Sequence, residues 1–133
     1  MKEKIRAFAL GLGFDAFGVA SAERAPHADF LVTWLNRQFH ASMQWMARQP
    51  ERRQDPRLVL PGAQSIIVVA WNYFVPESTD SRPDHGIVAR YARGKDYHDV
   101  LREKLQVLAS FIESESGAAT KATVDTSAVL ERD

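Results

Sequence analysis

A mixed α/β fold, with a mixed β-sheet flanked by helices, is what this 133-residue sequence predicts. The run Ser65-Ile66-Ile67-Val68-Val69-Ala70-Trp71 is continuous and β-branched, the pattern of a central strand buried on both faces. Val100, Leu101, Leu105, Leu108 and Ile112 recur at helical spacing. Along the chain the signals alternate as helix, strand, helix, helix, strand, helix, strand. Hydrophobic residues make up 45% of the sequence, enough to build the core of one domain of this length.

Each element has a local reason. Ile5, Phe8, Ala9 and Leu12 predict a short opening helix, ended by Gly11 and Gly13. Residues 14–20 read as a strand, with Gly18 allowing close backbone approach. Pro26 marks a loop. Phe30, Leu31, Trp34, Leu35 and Phe39 form one helical face, interrupted at His40 and Ala41. Met43, Trp45 and Met46 predict a second short helix capped by Ser42, and Trp34 and Trp45 are assigned to the core. Residues 49–62 read as a basic, proline-punctuated connector, and residues 75–86 as a mobile loop around Pro76 and Pro83. The helical stripe covers residues 99–114, and residues 121–124 are a further candidate strand. Ala128, Val129 and Leu130 look like the first turn of another helix, so the C-terminus reads as incomplete.

Composition removes several function classes. Lys and Arg total 17 and Asp and Glu total 17, so the chain is no general polycationic nucleic-acid coat. It has no cysteine, which excludes disulfides, thiolate zinc sites and cysteine-ligated iron–sulfur clusters within these residues. His27, His40, His85 and His98 are too scattered to argue a metal site. There is no G-x-G-x-x-G and no P-loop. No signal-peptide core or membrane-length apolar run occurs, so a soluble cytoplasmic protein without a membrane partner is expected.

The stretch Arg90-Tyr91-Ala92-Arg93-Gly94-Lys95-Asp96-Tyr97-His98-Asp99-Val100-Leu101 is the most informative. It gathers groups that grip anions and stack on flat rings, which points to a large planar or phosphorylated partner. The plainer alternative is a turn at Gly94, a helix cap at Asp96 and solvated arginines. Asp125 follows the candidate strand and is either a helix cap, the plainer reading, or an acid facing a ligand crevice. Arg52 and Arg53 suit a phosphate or bulk water. Trp71-Asn72-Tyr73-Phe74 suits a pocket wall, although core packing is the plainer role for Trp71.

Taken in order, these segments resemble the N-terminal part of the epoxyqueuosine reductase family. The resemblance runs through Gly13-Phe14-Asp15, Gly18-Val19-Ala20, Phe39-His40 and Met43-Gln44-Trp45-Met46-Ala47-Arg48. It continues through Arg53-Gln54-Asp55-Pro56-Arg57, Leu60-Pro61-Gly62-Ala63-Gln64-Ser65 and the Arg90–His98 motif, and closes on Val124-Asp125-Thr126 with Val129-Leu130-Glu131. It implies an oxidoreductase of queuosine biosynthesis that reduces epoxyqueuosine in tRNA. Cobalamin, fed by [4Fe-4S] clusters, would remove the epoxide oxygen as water. By motif, Asp125 would supply the proton, with its pKa raised under a corrin roof. Arg53, Arg90, Tyr91 and Arg93 would face cobalamin or tRNA phosphates. Tyr91, Arg93 and Asp125 are expected to converge on one cleft.

The sequence departs from the family pattern. Gln38-Phe39-His40-Ala41 stands where glycines usually flank the aromatic–histidine pair, and Ala128 replaces a common proline. The cysteine-rich ferredoxin-like domain is absent. Residues 1–133 therefore read as a single cobalamin-facing N-terminal domain, a fragment of an enzyme that is monomeric at full length. By itself the fragment is expected to be inactive. Two other readings compete: a corrin- or tRNA-binding module without catalysis, and a flavin-binding nitroreductase-like domain. Cobalamin or flavin spectra of the purified protein separate them.

Overall fold

In a computed structural model of the chain, residues 1–74, 76, 86, 88–125 and 127–130 are described. Among them lie helices α1 (Lys2–Gly11), α2 (Ala28–Asn36), α3 (Pro50–Gln54) and α4 (Tyr97–Ser116), with strands β1 (Ala16–Ser21) and β2 (Ser65–Ala70). Short 3-10 turns occupy Gln44–Ala47, Pro56–Leu58 and Arg90–Ala92. The predicted mixture of helices and sheet is present. Among the described residues the sheet has two strands, β1 beside β2. At one end the Asp15 N–H donates to the Ala70 carbonyl at 2.8 Å; at the other the Ala22 N–H donates to Gln64 at 3.1 Å, so the strands run antiparallel.

The chain divides into two units, with boundaries inside both strands. The first comprises Met1–Gly18 and Val69–Asp125. Its core holds Ile5, Ala9, Phe14 and Leu108. α1 packs on α4 by stacking Phe8 on Phe111, with ring centroids 3.9 Å apart and planes 6° apart. An ion pair between Lys4 and Glu115 flanks that stack. The Lys104 ammonium donates to the Leu12 carbonyl at the C-terminus of α1, where cations are favoured. α4 itself is well specified at both ends. Asp96 caps it, accepting the His98 N–H at 2.9 Å, and Gly117 ends it in the left-handed conformation at φ 67°.

The second unit comprises Val19–Val68 and the described residues after Asp125. Ala22, Ala28, Leu31 and Pro56 are buried in it, with His40. Arg24 fastens α2 to α3, reaching Asp29 at 2.5 Å and Gln54 at 3.1 Å. Arg57 grips the Asp55 carboxylate with both arms of its guanidinium, at 2.8 and 2.7 Å. That grip holds the Asp55 carboxyl below the usual carboxylate range.

Several expectations are corrected. Among the described residues, β2 is not a central strand covered on both faces: it pairs with β1, and Val68 is 56% exposed. Its β-branched run reports strand propensity, which does not by itself fix the number of neighbours. Residues 121–123 form no strand and 127–130 no helix among the described residues. α2 stops at Asn36, because Gln38 and Ala41 turn the chain at φ 57° and 47°, and Phe30 and Phe39 are exposed. The 3-10 turn after it has Met43, not Ser42, at its N-cap position and no side-chain cap, and Trp45 lies outside the core at 54% exposed. The connector at residues 49–62 holds α3, which starts at Pro50, a residue favoured in a first helical turn. Of the proline-containing stretch 75–86, residues 75 and 77–85 lie outside the described residues.

Candidate active site

The glycine-centred motif folds as a turn feeding a helix. Gly94 takes φ 95°, a conformation that suits glycine, and Asp96 caps α4 two residues later. The plain structural roles foreseen for both residues are therefore real. Between them the motif places Arg90, Tyr91 and Arg93 on one side of the turn and Tyr97 and His98 on the other.

Asp125 is reached from α4. It sits in the left-handed region at φ 52°, unusual for a residue other than glycine. The phenol of Tyr97 donates to its Oδ2. His98 Nε2 lies 3.8 Å from the same oxygen, and the His98 ring stacks on Tyr97 with centroids 4.1 Å apart. His98 Nδ1 is 2.8 Å from Asp96 Oδ1. The backbone N–H of His98 and then its ring hold the Asp96 carboxyl below the usual range. Asp96 is therefore an acceptor at neutral pH, and Nδ1 carries a hydrogen. Hydrogen bonding to Asp125 first, then burial, pushes the Tyr97 phenol up to about 12. Asp125 caps no helix among the described residues, and its side chain is 56% exposed.

A cleft of about 550 Å³ lies beside Trp71, Asn72, Tyr73, Phe74, Ala89, Arg90 and Tyr91. The Arg90 guanidinium sits 4.7 Å from the Phe74 ring centroid, a cation–π contact. The Asn72 N–H donates to Asp15 Oδ2 at 2.6 Å, and the Asn72 side chain accepts from the Phe74 N–H at 2.9 Å. These bonds fix the chain as it leaves β2. Tyr91 lines the cleft and meets Tyr97 edge-on at 6.1 Å. The structure thus links Tyr91 to Asp125 through Tyr97. Arg93 is not brought in: its Nε donates to the Val88 carbonyl at 2.9 Å, and it does not line the cleft.

Arg53 belongs to the second unit, where its guanidinium lies 5.4 Å from the Trp45 ring centroid and donates to the Trp45 carbonyl at 3.4 Å. Its Nε is buried without a hydrogen-bond partner among the described residues. No group of three or more His, Cys, Asp or Glu among the described residues could hold a metal ion. No described helix is long and apolar enough to cross a membrane. Sequence reasoning missed Tyr97 and His98 as site residues. The signal was present, since both lie inside the motif it singled out, but only the fold reveals that Asp125 returns to them.

The family model for epoxyqueuosine reductase QueG, DUF1730, matches residues 53–126, more than half of the chain. The chain belongs to this family. An epoxyqueuosine reductase from Leadbetterella byssophila is 36% identical over 135 residues, covering 98% of this chain and 43% of the relative. A solved epoxyqueuosine reductase, crystallised with an epoxyqueuosine-modified tRNA stem loop, superposes with a TM-score of 0.84 at 32% identity. That match covers 98% of this chain and 36% of the solved one. A Bacillus subtilis epoxyqueuosine reductase, solved with its catalytic aspartate loop swung out of the active site, gives a TM-score of 0.71 at 33% identity. It covers 86% of this chain and 32% of the solved one. The chain therefore spans less than half the length of these epoxyqueuosine reductases.

Proposed function

We propose that these residues form the acid-bearing, cofactor-facing N-terminal domain of an enzyme that reduces epoxyqueuosine to queuosine at the tRNA wobble position. The supporting observation is a loop-borne carboxyl, Asp125, tied through Tyr97 and Tyr91 to an aromatic cleft. Removing an epoxide oxygen as water consumes electrons and protons. The C–O bond breaks toward an alkoxide, so an acid within hydrogen-bond reach lowers the barrier. Asp125 is assigned that role. Its place on a loop agrees with the B. subtilis relative, in which a catalytic aspartate loop moves. Family membership favours this reading over a flavin-binding domain.

The cleft suits cobalamin by chemistry. Trp71, Phe74 and Tyr91 offer flat apolar faces, while Asn72 and Arg90 offer polar groups to the amides and phosphate at a corrin's rim. Bound cobalamin would supply the reducing electrons. Arg93 would add positive charge beside the cleft. Arg53 on Trp45, a guanidinium over an indole, suits a cofactor or tRNA phosphate. A [4Fe-4S] cluster does not fit these residues, which include no cysteine. Its ligands would come from an iron–sulfur domain outside them, in an enzyme we place in the cytoplasm as a monomer.

The test is Asp125→Asn in the whole enzyme that carries these residues. Cobalamin spectra and tRNA affinity should be retained, while turnover falls by about a hundredfold or more, since an amide cannot give up the acid's proton. Unchanged turnover would remove Asp125 from the reaction.

A further inference from the structure

Asp125 as found here is an acceptor, and an acid needs a proton to give. The Tyr97 phenol donates to Asp125 Oδ2, so that oxygen is engaged as an acceptor. An acid that gives up a proton in each turnover must be resupplied by a neighbouring group or by water. Among the described residues, the groups facing Asp125 are few. Tyr97 is bound to it, Tyr91 lies behind Tyr97, and His98 presents Nε2 at 3.8 Å. Of these, histidine is the side chain whose charge changes near neutral pH. The anchoring of His98 is specific. Asp96 accepts both the His98 backbone N–H, at 2.9 Å, and Nδ1–H, at 2.8 Å. The first bond starts α4 and the second fixes the tautomer, leaving Nε2 as the position that gains and loses the proton, aimed at Asp125. The ring is flanked by a carboxylate at each nitrogen, Asp96 at 2.8 Å and Asp125 at 3.8 Å. Arg102, the nearby cation, is drawn to Asp99 at 3.2 Å.

We propose that His98 is the proton reservoir of Asp125: an Asp96–His98–Asp125 chain in which His98, through Asp125, supplies the proton that the leaving oxygen takes up. The inference rests on the assignment of Asp125 as the acid. The step balances. Imidazolium Nε2–H passes its proton to Asp125 Oδ2, and neutral His98 and a carboxylic acid result. The acid protonates the oxygen, and His98 regains its proton from water through its exposed edge, the side chain being 32% exposed. The gap of 3.8 Å must close to hydrogen-bond distance, as happens when catalytic contacts tighten around a substrate. His98 acts through Asp125 and is a positioning residue in that sense.

The experiment is the pH dependence of turnover in the whole enzyme carrying these residues, for the unsubstituted form, His98→Gln and Asp96→Asn, with NMR of labelled histidine alongside. His98→Gln should lose about tenfold or more at pH near 8 and recover as the pH is lowered towards 5, where solvent supplies protons more readily. Asp96→Asn, which keeps the helix cap and the ring, should shift the profile the same way by a smaller amount. The His98 ring-nitrogen signals should change in both Asp96→Asn and Asp125→Asn. A uniform loss at every pH in His98→Gln, or His98 ring-nitrogen signals indifferent to both carboxylate substitutions, would overturn the proposal. If Asp125→Asn loses turnover while His98→Gln keeps the unsubstituted pH profile, the reservoir alone fails. If Asp125→Asn remains active, the acid assignment fails and the reservoir with it.

Discussion

The phenol of Tyr97 donates to Oδ2 of Asp125, joining the first turn of α4 to a loop 28 residues further along the chain. Ionising Tyr97 would lose the hydrogen bond it donates to Asp125, and burial and the nearby Asp125 charge add to the effect, which is why its phenol is pushed up to about 12 from an ordinary value of 10.0. The folded state favours neutral Tyr97. This contribution to stability is complete below pH about 10 and is lost as pH rises through about 12. In an ultraviolet titration, Tyr97 should ionise at the high end of that window, and Asp125→Asn should bring it back towards 10. A Tyr97 that titrates at its ordinary value in the unsubstituted protein would mean that the bond is not made in solution.

Leu108, on the inward face of α4, is only 2% exposed, whereas its neighbour Val107 is 49% exposed. Leu108→Ala should destabilise the protein by about 2–4 kcal/mol, because both transfer free energy and packing are lost. Val107→Ala should stay within about 0.5 kcal/mol. Denaturant unfolding of the two variants measures the contrast. Equal effects would mean that α4 is rotated from the orientation described.

The sequence reached the helices more readily than the sheet. The stripe from Val100 to Ile112 located α4, and Asp96 and Gly94 were legible because capping and turning need those residue types. Ile66 to Val69 announced a strand, but one run cannot state how many partners it has. Trp45 looked like core because its apolar area is large; a 3-10 turn leaves it outward with Arg53 on its face. Asp125 was singled out by its place after a candidate strand, but only the family's Val-Asp-Thr segment favoured the acid over the cap. Its meeting with Tyr97 and His98 is a long-range contact that no local pattern encodes. Arg93 looked like a ligand group by charge, yet its side chain is used within its own loop.

Ala41 and Gln38 occupy left-handed conformations at φ 47° and 57°. An L-residue there costs roughly 1–2 kcal/mol, while glycine pays roughly 0.5–1 kcal/mol more in unfolded-state entropy. Ala41→Gly should therefore raise stability by up to about 1 kcal/mol, and Gln38→Gly should act in the same direction. Ala41→Val should lower it, since a β-branched side chain fits this region worst. Thermal melts of the three variants decide the matter. A loss of stability in both glycine variants would show that the loop takes another conformation in solution.

The same backbone argument makes Asp125 a clean target. At φ 52° it stands where Asn and Asp are the best tolerated residues after glycine. Asp125→Asn should leave stability within about 0.5 kcal/mol, because shape and backbone preference are both kept. Asp125→Val should cost about 1–2 kcal/mol from strain alone, in addition to the lost Tyr97 bond. The pair separates chemistry from folding. If Asn melts with the unsubstituted protein while turnover collapses, the carboxyl is needed for its proton. If Asn and Val unfold equally early, loss of the charged Tyr97 contact dominates, and activity measured on either variant would report on the loop rather than on the acid.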